Sequence, residues 1–86
     1  MNKLLILAYN EQLYIKETVL KYISNFEEII IVNDNSDDDT GIIINDLEKK
    51  FKNIKVISNN KNYGAGRSLE IGINAALESS FYYLVK

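Results

Sequence analysis

The sequence predicts an α/β fold, βαβαβαβ, with four parallel strands in the order 3-2-1-4. Three observations carry this expectation. Short apolar runs, rich in β-branched residues, recur without the alternation of a half-exposed strand. Between them lie stretches whose apolar residues repeat every three and four positions. Clusters of Asn, Asp, Ser and Gly separate the two kinds of segment. Buried strands joined through amphipathic helices imply a parallel sheet with right-handed crossovers.

Leu4 to Ala8 is the first strand-like run, and Asn10 after it is placed to cap a helix. Ile15, Thr18, Val19, Tyr22, Ile23 and Phe26 then form one helical stripe. Ile29 to Val32 is the second run, and it stops at the polar segment Asn33 to Asp39. Thr40, Ile43, Ile44, Leu47 and Phe51 make a second stripe, and Lys49 and Lys50 suit the negative end of that helix. Ile54 to Ser58 is a third strand and Asn59 to Gly66 a loop. Leu69, Gly72, Ile73, Ala76 and Leu77 form a third stripe, and Phe81 to Val85 a fourth strand.

Eighty-six residues are enough for a single domain, 1–86, at the small end of self-sufficient cores. The net charge of −2 argues against a nucleic-acid module that works by bulk positive charge. The absence of cysteine removes disulfide scaffolds and thiol catalysis, and the absence of histidine removes the commonest general base. The longest apolar run is far short of the ~20 residues that span a bilayer. The apolar start, Leu4 to Ala8, is followed at once by polar residues and is read as a strand, not a leader.

In parallel sheets, ligands sit at the carboxyl ends of the strands. That selects Tyr9-Asn10-Glu11, Asn33 to Asp39, and Asn59 to Arg67. Asp34, directly after a strand, is placed to accept a ligand N–H or O–H, whereas Asp37, Asp38 and Asp39 suit a helix N-terminus. A calcium loop over Asp34, Ser36 and Asp38 fails, because Asp39 stands where glycine is needed and Asn45 where glutamate is needed. Gly64-Ala65-Gly66 opens the third helix, where close backbone approach and the helix N-terminus favour an anion. It is not a dinucleotide fingerprint, since it follows the third strand and Leu69 takes the place of the last glycine. Arg67 opposes the dipole there and needs a negative partner, either a diphosphate or the Asp cluster. Tyr9 is either a stacking platform or an amphipathic rim residue. Glu11 is expected on the first helical turn.

Together these segments resemble the inverting GT-A glycosyltransferases of family 2. The likeness is to the branch of dolichol-phosphate-mannose-synthase-like and polyprenyl-phosphate sugar transferases. Ile6-Leu7-Ala8-Tyr9-Asn10-Glu11 is similar to that family's first-strand signature. The run from Ile30 through Asn33, Asp34 and Ser36 to Thr40 is similar to its second. Asn62-Tyr63-Gly64-Ala65-Gly66, with Gly72 and Ala76, is similar to its third. The departures are Leu7 for a usual proline and Asn35 for a usual glycine, the latter asking Asn to adopt a left-handed turn conformation.

The resemblance implies a Rossmann-like half of a GT-A fold that binds a UDP- or GDP-sugar. Ala8 and Tyr9 would flank the base, with Asn10 and Glu11 near the nucleotide-sugar. Asp34 would accept the ring N–H, beside Asn33 and Ser36 of the same motif. Gly64, Gly66 and Arg67 would lie around the ribose and phosphates. In the family, an Asp-x-Asp after the fourth strand holds Mg²⁺ or Mn²⁺, and a carboxylate further on is the general base. The sequence ends at Lys86, where that motif is expected to begin, so residues 1–86 are expected to carry no metal ligands and no catalytic residues and to be inactive alone. The expected compartment is the cytoplasm, and the expected assembly a homodimer or larger through an exposed edge strand or uncovered faces. A non-catalytic α/β interaction module built on the same half-fold is the alternative.

Overall fold

The computed structural model describes residues 2–75 and the backbone of residues 80–85. Strands β1 (Asn2–Ala8), β2 (Glu28–Asn33), β3 (Ile54–Ser58) and β4 (Ser80–Val85) alternate with helices α1 (Ile15–Tyr22), α2 (Thr40–Lys50) and α3 (Ala65–Ala75). The parallel α/β alternation is the one that the apolar patterning implies. The strands lie side by side as β3-β2-β1-β4, and all three pairings are parallel.

The absence of alternation in β1 and β2 has a direct cause, since both faces of each are covered. Leu4, Ile6, Ala8, Ile29, Ile31 and Ile54 face α1 and α2, meeting Ile15, Val19, Ile44 and Leu47. Leu5, Leu7, Ile30 and Val32 form the opposite core, against which Ile57, Leu69 and Ala75 pack. Each large aliphatic side chain so buried contributes about 1.5–3 kcal/mol. Among the described residues, no helix is long and apolar enough to cross a membrane.

The helix starts differ from the sequence expectation. Asn10 does not cap α1, which begins five residues later at Ile15 with no side-chain cap. Instead, Asn10 takes φ 51°, and the carbonyl of Glu11 accepts from the N–H groups of Tyr14 and Ile15. Glu11 therefore precedes the helix. Ile23 and Phe26 lie beyond the end of α1 yet pack on the core. In α3 the buried positions are Ser68 and Gly72, while Ile73 is exposed. Ala76, Leu77 and the side chains of Phe81 to Val85 lie outside the described residues.

Candidate functional site

The register brings three strand ends level. Ala8 pairs with Asn33, and Asn33 with Ser58. The pairing continues one step into the loops, where the Asp34 N–H donates to the Ala8 carbonyl and the Asn59 N–H to the Asn33 carbonyl, each at 2.9 Å. The loops after β1, β2 and β3 therefore rise from one edge of the sheet and can act on one ligand.

The first two loops are stitched together by reciprocal hydrogen bonds. The Asn10 N–H donates to Ser36 Oγ at 3.1 Å, and Asn10 Oδ1 accepts from the Asp37 N–H at 2.8 Å. Two residues on, the Gln12 N–H donates to Asp38 Oδ2, and Gln12 Oε1 accepts from the Asp39 N–H. Between them the Glu11 N–H donates to the hydroxyl of buried Thr40 at 2.8 Å. Asn33 Oδ1 in turn holds Ser36 through both its N–H and its hydroxyl. Asn35 at φ 57° makes this turn possible, so Asn does take the left-handed conformation that its position demands. Asp39 stands at the N-cap of α2 without a side-chain capping bond, and Asp38 before it accepts instead from the N–H and hydroxyl of Thr40. Burial pushes its pKa upward, but the Thr40 and Gln12 hydrogen bonds together outweigh this and hold it below the usual value.

Asp34 is the centre of the site. It is only 6% exposed. Its Oδ1 accepts from Asn59 Nδ2 at 2.9 Å and from the Tyr63 N–H at 2.8 Å, and its Oδ2 from the Gly64 N–H at 2.8 Å. Burial pushes the carboxyl upward, but the donors from Tyr63, Asn59, Gly64 and Ser68 together keep it below the usual aspartate value. Asp34 thus stays ionised and ties the β3–α3 loop to the end of β2. Asn59 and Ser68, which sequence reasoning passed over, complete the cluster. Both are buried, and Asn59 Nδ2 also donates to Ser68 Oγ at 3.1 Å. Their only sequence signal is an Asn directly after a strand and a Ser within a helical stripe.

The remaining predicted residues surround this cluster. Ala8 is buried at the strand end, and Tyr9 is 43% exposed, with its hydroxyl 3.5 Å from Asp37 Oδ2. Gly64 takes φ 87°, a conformation that favours glycine, and a side chain at Gly66 would meet nothing within 4 Å. Arg67 is paired with Glu70 on the next turn of α3. That carboxylate, not the Asp cluster, supplies the negative partner that its position calls for. Among the described residues, no three acidic side chains converge where a metal ion could sit.

A parallel sheet with a buried acid and a glycine-bearing helix start at its carboxyl edge is an α/β domain whose candidate site lies at the strand ends. The chain belongs to glycosyl transferase family 2, whose sequence pattern matches residues 4–84. It is 42% identical over 83 residues to the "Probable glycosyltransferase YdaM" of Bacillus subtilis, covering 90% of this chain and 18% of that protein. It is 40% identical over 72 residues to an "Uncharacterized glycosyltransferase" of Haemophilus influenzae, covering 80% of this chain and 22% of that protein. The chain therefore spans about a fifth of the length of these relatives. The crystal structure of S. aureus TarS 1-349 superposes with a TM-score of 0.75 at 22% identity, over 98% of this chain and 26% of that one. At that identity the likeness concerns the fold.

Proposed function

We propose that residues 1–86 form the donor-nucleotide-binding half of a glycosyltransferase that moves a sugar from a UDP- or GDP-sugar to a hydroxyl or lipid phosphate. The observation that carries the proposal is the ionised, nearly buried Asp34 carboxylate at the level strand ends. In this reading the Asp34 carboxylate, whose Oδ2 accepts from the Gly64 N–H, also accepts the ring N–H of the base. Tyr9 offers its exposed ring to the base face. The open space at Gly64 and Gly66 lets ribose and diphosphate approach the backbone, at the positive end of α3. Arg67 stands on the same first turn and exchanges Glu70 for a phosphate at little cost, because exposed ion pairs contribute only about 0–1 kcal/mol.

A Mg²⁺ or Mn²⁺ ion on the diphosphate belongs, in this proposal, to residues that follow β4 in longer family members, as does the general base. Residues 1–86 bind and orient the donor and perform no transfer by themselves. Titrating the ¹⁵N-labelled chain with UDP and GDP tests this. Saturable amide shifts are expected at Tyr9, Asp34, Tyr63, Gly64 and Gly66. Absence of shifts with both nucleotides, or sugar transfer by the 86-residue chain, would overturn the proposal.

A further inference from the structure

We infer that Asn10 is a positioning residue for the donor nucleotide: its backbone turn and its side-chain amide hold the Tyr9 ring in place before a base arrives. The inference rests on the donor-site proposal above and deepens it, by naming what orients the exposed ring.

Tyr9 stands just past the end of β1 and is 43% exposed. Among the described residues, the hydrogen bond of its hydroxyl goes to Asp37 Oδ2, at 3.5 Å. The ring is therefore placed by the main chain that follows it and by Asp37. Asn10 governs both. Its N–H donates to Ser36 Oγ at 3.1 Å, and Ser36 is itself held by Asn33 Oδ1. Its Oδ1 accepts from the Asp37 N–H at 2.8 Å. Tyr9, Asn10 and Asp37 thus close a ring, from main chain to amide to carboxylate and back to the Tyr9 hydroxyl.

The backbone of Asn10, at φ 51°, narrows the choice of residue. Asn tolerates the left-handed region better than most side chains and brings an acceptor that reaches the facing loop. Glycine would keep the turn and lose the acceptor. Gln12 fastens the same two loops further along the chain, through Asp38 Oδ2 and the Asp39 N–H. It has no bond to Asp37, so its loss tests loop attachment without touching the closed ring around Tyr9. A ring ordered beforehand spares the complex the entropy of ordering it, which is worth about twofold to tenfold in affinity.

Proton NMR of UDP and of GDP with the whole 86-residue chain reads stacking separately from affinity. A base stacked on a tyrosine has its protons shifted upfield, and that shift at saturation does not depend on the fraction bound or folded. The wild type is expected to show the shift and Tyr9→Ala to lose it. Asn10→Gly keeps the fold, because the residue is exposed and glycine accepts its backbone. It should show a smaller saturated shift and bind about twofold to tenfold more weakly. The Tyr9→Ala, Asn10→Gly double variant should bind like Tyr9→Ala alone, and Gln12→Ala should keep the wild-type shift. A wild-type shift in Asn10→Gly, or an equal loss of affinity with and without Tyr9, overturns the inference. So does a shift in Gln12→Ala as small as in Asn10→Gly. Nucleotide binding by the wild type without an upfield shift overturns the inference and leaves the donor site at Asp34 standing. Absence of binding by both nucleotides overturns the donor site and the inference with it.

Discussion

Gly72 of α3 lies so close to Leu5 of β1 that a Cβ on the glycine would stand 2.3 Å from Leu5 Cδ1 and 3.0 Å from its Cγ. Leu5 is 1% exposed and faces a filled core, so it cannot swing away freely. Gly72→Ala therefore forces the helix off the sheet or Leu5 out of its rotamer. Overpacking of this kind costs about 1–3 kcal/mol, against a gain in helix propensity of up to about 1 kcal/mol. Urea denaturation is expected to show a net loss of stability. An unchanged midpoint would mean that α3 sits further from the sheet.

Gly66 gives the opposite outcome on the same helix. A Cβ there meets nothing within 4 Å, and the residue lies inside α3 with no left-handed backbone to protect. Gly66→Ala is expected to leave the fold intact or stabilise it by up to about 1 kcal/mol. If the glycine is present for the approach of ribose or phosphate, the same substitution weakens UDP binding. Greater stability with weaker binding, from one thermal melt and one titration, would separate ligand accommodation from folding. Unchanged binding would remove Gly66 from the donor site.

The pH response of the fold is expected to run through Asp34. Its folded pKa lies below the ordinary value of 3.8, so between the two values the unfolded chain binds more protons. Stability then rises with pH in that window. The contribution of Asp34 is fully present above about pH 4–5 and is lost as pH falls through the folded pKa. Urea midpoints at acid pH should fall more steeply in the wild type than in Asp34→Asn. At neutral pH, Asp34→Ala should cost about 1–3 kcal/mol, because Tyr63, Gly64 and Asn59 lose their acceptor. Asp37→Ala should cost less, since among the described residues its exposed carboxylate meets only the Tyr9 hydroxyl, at 3.5 Å. Parallel acid profiles for wild type and Asp34→Asn would show that another carboxylate dominates.

The parallel α/β alternation and the three strand-end loops were legible because burial and periodicity are local properties of sequence. Asp34 was legible for the same reason, standing one residue past a run of buried aliphatics. What could not be read was the set of partners. Asn10 looks like a helix cap, yet its side chain bonds Asp37, 27 residues away. Asn59 reaches Asp34 across 25 residues. Such side-chain bonds between loops leave no periodicity, and any Asn, Ser or Gln in a loop is an equal candidate beforehand. The Arg67 partner is local: Glu70 lies three residues on in the same helix, a spacing at which helix side chains meet.

The two edges of the sheet are expected to behave differently in assembly. On β3, the Glu48 carboxylate of α2 accepts the Val56 N–H at 2.7 Å, so a group that could pair with another chain is already occupied. Lys55 is exposed beside it, and charge on an edge strand also discourages pairing. The opposite edge is β4, which pairs with β1 on its inner side. We propose that the 86-residue chain self-associates there, because among the described residues no further strand pairs with the outer side of β4, such an edge is a template for another strand, and a small domain gains stability from the added burial. Light scattering on a size-exclusion column should then give a mass above 9.9 kDa that rises with concentration. Amide exchange in residues 81–85 should slow over the same range, while exchange in residues 54–58 stays unchanged. Glu48→Ala should release the Val56 N–H, lowering stability by about 0.5–1.5 kcal/mol, and make exchange in β3 concentration-dependent as well. A monomer at every concentration, with exchange in β4 unaffected, would show that this edge does not recruit a second copy.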